Sequence, residues 1–170
     1  MKNKLTKLEF KWICYDMGNS AFILLVATIL PIYFNYLSSS QGVAEYNYLS
    51  YWSYAASIST LIVALAGPIL GTLADYKDHK KKIFLTTATL GALALASSWF
   101  AFLVLFIAAK VAYSLSLIVY DSMLTDITTE DRMDAVSSKG YAWGYIGSVV
   151  PFIISLVFVL MYDKMGMTLK

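Results

Sequence analysis

Charge is scarce in this chain, and cysteine, histidine and arginine are nearly missing. Of its 170 residues only 14% are charged, against 59% hydrophobic and 15% aromatic. A soluble fold needs polar surface over its core, and this composition lacks it unless lipid covers most of the molecule. Cys14 is the sole cysteine, so an internal disulfide is excluded and a cysteine-based zinc cluster is not expected. His79 is the sole histidine and lies in a lysine-rich loop, so there is no serine–histidine–acid set for hydrolysis. The net charge of +2 is too small for a nucleic-acid footprint. No cofactor motif and no metal-ligand spacing is present, and nothing supports an enzyme.

What the chain does hold is a series of long apolar runs separated by patches of charge. The first eleven residues carry Lys2, Lys4, Lys7 and Lys11, which suits an amphipathic cytoplasmic lead-in over 1–18. The apolar run continues past Pro31 and Tyr33 with no small-residue cleavage site, so an uncleaved first helix over 19–37 is expected rather than a signal peptide. Further spans are expected over 51–74, 83–98, 100–124 and 140–162, with 163–170 an outer tail or the start of a sixth helix. The stretch from Ile83 to Tyr120 requires two helices, because one would measure ~57 Å against a hydrocarbon core of ~30 Å. The segment 38–50 holds Glu45 and no lysine or arginine, so by the charge rule it lies outside and the amino terminus inside. The fold class that follows is all-α, a polytopic transmembrane bundle of about five spans.

Polar residues within those runs are the candidate site. Asp16, Asn19 and Ser20 share one helical face, where they either cap the start of the first helix or face a polar cavity. Lys110 and Asp121, eleven residues apart, fall on one stripe of the fourth span with Ser114 between them. Lys110 is too near mid-helix for easy snorkelling, so an inward-facing substrate-anion or ion-pair role is expected. In the loop after that span, Thr128 or Thr129 is placed to cap a short surface helix over 130–136. Two small-residue stripes are expected to pack closely against other helices. They are Gly67 with Gly71, and Gly140, Gly144 and Gly147 with Pro151 and Ser155. Five helices by themselves leave these seams without a partner surface.

Gly71, Asp75 and the basic cluster that includes Lys80 and Lys81 resemble the loop signature of the major facilitator superfamily of secondary transporters, with Tyr76 where a first basic residue is usual. W-x-x-Y-D-x-x-N-S-A-F from Trp12 to Phe22, P-I-L-G-T-L-A-D from Pro68 to Asp75, and S-S-K-G-Y-A-W-G-Y-I-G from Ser137 to Gly147 narrow the likeness. They look like the vacuole-effluxer-like branch, which includes autophagy amino-acid effluxers. That resemblance implies most of one six-helix half of a twelve-helix permease, present as an amino-terminal part. It also implies ion-coupled alternating access for a small polar solute such as an amino acid. Its partners would be the lipid bilayer, the solute and the remainder of the transporter or a second membrane chain. Its place would be the bacterial inner membrane. The competing expectation is a non-transporting membrane subunit, scaffold or truncated product.

Overall fold

A computed structural model of the chain describes residues 4–74 and 98–161, and among them there is no strand. The helices are α1 (Lys7–Ser40), α2 (Glu45–Ala74), α3 (Trp99–Ser122), the single turn α4 (Leu124–Ile127) and α5 (Met133–Met161). A 3-10 turn, Glu130–Arg132, leads into α5. Four segments are long and apolar enough to cross a membrane: Lys7–Ser40, Glu45–Thr72, Trp99–Ile127 and Glu130–Met161. The all-α membrane bundle is therefore what the chain forms. The expected span 83–98, the tail 163–170, and Asp75, Lys80 and Lys81 lie outside the described residues, save Ser98 just before α3.

Helix ends differ from expectation, each for a local reason. The first helix starts at Lys7 rather than near residue 19. Thr6 and Glu9 make a reciprocal cap: the Thr6 N–H donates to Glu9 Oε2 at 2.7 Å, and the Glu9 N–H donates to Thr6 Oγ1 at 3.2 Å. Asp16 and Asn19 thus sit inside a continuous helix and do not cap its start. The loop expected over 38–50 also shrinks, since α1 runs to Ser40 and α2 begins at Glu45. Ser39, Ser40 and Ser50 keep to the helices by donating their hydroxyls to the carbonyls of Tyr36, Leu37 and Tyr46. Gly42 makes the stop, at φ +78°. Its N–H bonds the Ser39 carbonyl while the Val43 N–H reaches back to Ser38, closing the helix as a Schellman motif.

The short helix expected over 130–136 does not stand alone, because Glu130–Arg132 passes directly into α5. Thr129 occupies its N-cap position without a side-chain cap bond, and the Thr128 hydroxyl donates to Glu9 instead.

Two compact units emerge: Met1–Ile32 with Leu124–Lys170, and Tyr33–Met123. In the first, the early turns of α1 lie along the glycine stripe of α5. A Cβ added at Gly140 would stand 2.8 Å from Trp12 Cζ3, and one at Gly144 2.6 Å from Ser20 Oγ. At Gly147 it would stand 2.9 Å from Met17 Cβ. This seam has its partner within the chain, contrary to expectation: the missing side chains are the space that Trp12, Met17 and Ser20 fill.

In the second unit α3 is the centre. Its core residues Phe102, Phe106, Leu115 and Val119 are buried, and 44% of its apolar window is covered, against 17% for α2. Ile118 Cδ1 lies 2.9 Å from where a Gly67 Cβ would be, so Gly67 is the close approach and Gly71, at 3.9 Å from Ile118 Cγ2, is ordinary contact. Trp52 is packed rather than presented to an interface, stacking on Phe106 at 4.3 Å and lying 5.6 Å from Phe34. Tyr51 stacks on Trp99 at 5.2 Å, and Tyr54 is strongly exposed. The Trp99 N–H donates to the Gln41 side-chain carbonyl at 3.3 Å, joining the start of α3 to the turn after α1.

Candidate functional site

Of the four sequence-nominated pathway residues, Asp16 and Asn19 fall in the first unit and Lys110 and Asp121 in the second. Helical spacing puts Asp16, Asn19 and Ser20 on neighbouring faces of α1. The side toward α5 is fixed by the glycines: Asp16 Oδ2 lies 3.2 Å and 3.3 Å from the Cβ positions that Gly140 and Gly144 leave empty. Asn19 is buried. A carboxylate and a hydroxyl, those of Asp16 and Ser20, thus lie in a close helix–helix seam against the glycines of α5. A carboxylate in a membrane-length helix is able to hold a proton or a cation.

Lys110 is half-buried and reaches α2. Its Nζ donates to the Ala56 carbonyl at 3.4 Å and stands 5.9 Å from the centre of the Phe106 ring. Ala56 O also accepts the Thr60 hydroxyl at 2.9 Å, so the ammonium shares an already engaged acceptor and is weakly held. Ala56 and Thr60, with Ser57, Leu61 and Ala64, line an open groove of about 510 Å³ on α2. The geometry leaves an ammonium beside a groove with two hydroxyls, an arrangement able to meet a carboxylate on a solute. Asp121 is exposed in the last turn of α3.

One densely bonded polar cluster was not nominated from the sequence. Glu9 is 1% exposed and accepts from three groups: the Thr6 N–H, the Thr128 hydroxyl at 2.7 Å and the Arg132 guanidinium at 2.8 Å. Arg132 also donates to the Lys4 carbonyl at 3.1 Å. Together with Asp126, Ile127 and Thr129 these residues bound a cavity of about 290 Å³. The signal was present in T-K-L-E, a capping box at residues 6 to 9 read only as part of a basic lead-in. Its partner, the sole arginine, stands 123 residues later and carries no local hint of the pairing. Among the described residues no group of three His, Cys, Asp or Glu side chains gathers as a metal site.

Comparison with known proteins adds two findings. The model of the family described as vacuole effluxer Atg22 like matches residues 6–135. An uncharacterized MFS-type transporter, YxiO of Bacillus subtilis (strain 168), is 37% identical over 169 residues, covering 95% of this chain and 40% of its own length. The chain therefore spans about two fifths of that curated relative. No solved structure matches.

Proposed function

This chain belongs to the vacuole effluxer Atg22-like family of major facilitator transporters, and on that premise we propose that it supplies most of one helical half of a secondary transporter. The protein is an integral membrane component acting by transport rather than covalent catalysis. Its solute is small and polar, an amino acid being the leading class, and its movement is coupled to a proton or ion gradient through alternating access. The amino terminus lies on the cytoplasmic side of the bacterial inner membrane, and a further set of helices completes the pathway.

The observation that carries this reading is the placing of ionisable groups inside membrane-length helices. Asp16 lies in the α1–α5 seam and Lys110 beside the α2 groove. Such groups are costly in lipid and are kept where they meet a partner, a solute or an ion. Asp16 with Asn19 is assigned to ion or proton coupling, Lys110 to the solute carboxylate, and Asp121 to the inner mouth of the pathway. Gly71 with Asp75, Lys80 and Lys81 forms the gating signature.

The test is flux of radiolabelled amino acids into liposomes holding the intact protein under an imposed proton gradient. Gradient-driven uptake of at least one amino acid, lost in Lys110→Met and uncoupled from the gradient in Asp16→Asn, supports the assignment. A folded, correctly inserted protein with no flux across the amino-acid panel removes it and leaves the non-transporting subunit.

A further inference from the structure

We propose that the first two turns of α1 form a docking strip for anionic phospholipid, Lys7 and Lys11 holding the headgroup phosphate while Leu8 and Phe10 seat against its acyl chains. This stands on the membrane reading alone and does not require that the protein transport anything.

Length sets the depth of the strip. The 34 residues of α1 measure ~51 Å, some 20 Å more than a hydrocarbon core of ~30 Å, so its ends stand at the level of the headgroups. Lys7 and Lys11 are one turn apart and both exposed, which puts them on one face with Cβ atoms ~6 Å apart, near enough for both side chains to reach a single phosphate. Leu8 and Phe10 flank them, each 58% exposed. A cationic stripe bordered by large apolar side chains is the pattern of a helix face seated in an anionic interface.

The acid of this stretch is kept away from that face. Glu9 is two residues from each lysine, about 200° around the helix, and its carboxylate is buried against Arg132. The positive field of the strip is therefore not cancelled by its own neighbour. Arg132 also ties down the preceding turn through the Lys4 carbonyl, so a terminus that would otherwise fray presents exposed Lys4 beside the strip. The helix-end amides are partly engaged by the Thr6–Glu9 cap, so the attraction comes from the side chains.

The experiment is thermal unfolding of the intact protein in neutral detergent, titrated with dioleoylphosphatidylglycerol, with dioleoylphosphatidylcholine, and with soluble glycerol phosphate. Phosphatidylglycerol is expected to raise Tm well above the choline lipid of identical chains, with glycerol phosphate without effect. Lys7→Gln/Lys11→Gln should lose at least half of that difference, and Lys139→Gln should keep it. Equal stabilisation by the two lipids, an undiminished preference in the double variant, or a full effect from glycerol phosphate alone would each overturn the proposal. Both lysines are exposed, so the double variant is expected to fold.

Discussion

Glu9 closes two gaps with one carboxylate. It caps the amino end of α1 and receives both Thr128 and Arg132 from the segment that leads into α5. Removing the charge leaves the guanidinium with a weaker acceptor, partly relieved because Arg132 is 30% exposed. Glu9→Gln should therefore lower stability by on the order of 1–3 kcal/mol. A double-mutant cycle with Arg132→Gln, read by thermal unfolding in detergent, should give a coupling energy of the stabilising sign, and additive effects would count against the pair. The glycines separate just as clearly. Gly147→Ala forces a Cβ against Met17 Cβ, an atom that cannot swing away, and should cost about 1–3 kcal/mol. Gly71→Ala meets nothing nearer than 3.9 Å and should leave Tm unchanged. From sequence Gly67 and Gly71 looked equivalent, since spacing reports a shared face but not which residue of it the neighbour reaches. Likewise the Thr6–Glu9 box was legible, whereas its link to Arg132 is a tertiary contact that no local pattern encodes.

At the level of the helix, apolar runs foretold the existence and type of each described span better than its ends. Serines around residues 38–50 suggested a long polar loop, yet in helices their hydroxyls bond backward to carbonyls and the helix continues through them. What ends α1 is the one residue able to take a positive φ at low cost, Gly42. Gly42→Ala should cost about 1 kcal/mol by straining that turn, and Gly42→Val more, as seen in the loss of Tm. Pro31, Pro68 and Pro151 all lie inside helices. In a membrane bundle the freed carbonyl finds another donor or remains within packed protein. The glycines of α5 lie against α1, a neighbour the sequence did not disclose because contact between distant segments leaves no periodic trace.

For the molecule as a whole, α1, α2 and α5 keep broad apolar faces toward their surroundings. On α5 alone Ile146, Val150, Ile154 and Phe158 are exposed. Lipid and further helices are the surroundings that such faces suit, in keeping with a family relative of which this chain covers 40%. Hydrogen bonds tie span ends within each unit: Trp99 to Gln41 in Tyr33–Met123, and Thr128 and Arg132 to Glu9 in the other. The threading proposed above puts residues 41–45 outside the membrane and residues 126–134 in the cytoplasm. The direct measurement is labelling of the intact protein in cells with a membrane-impermeant maleimide, on a Cys14→Ser background carrying either Glu45→Cys or Asp134→Cys. Glu45→Cys should label in intact cells and Asp134→Cys only after permeabilisation. Labelling of both from outside, or the reverse order, would contradict the threading on which the transport reading depends.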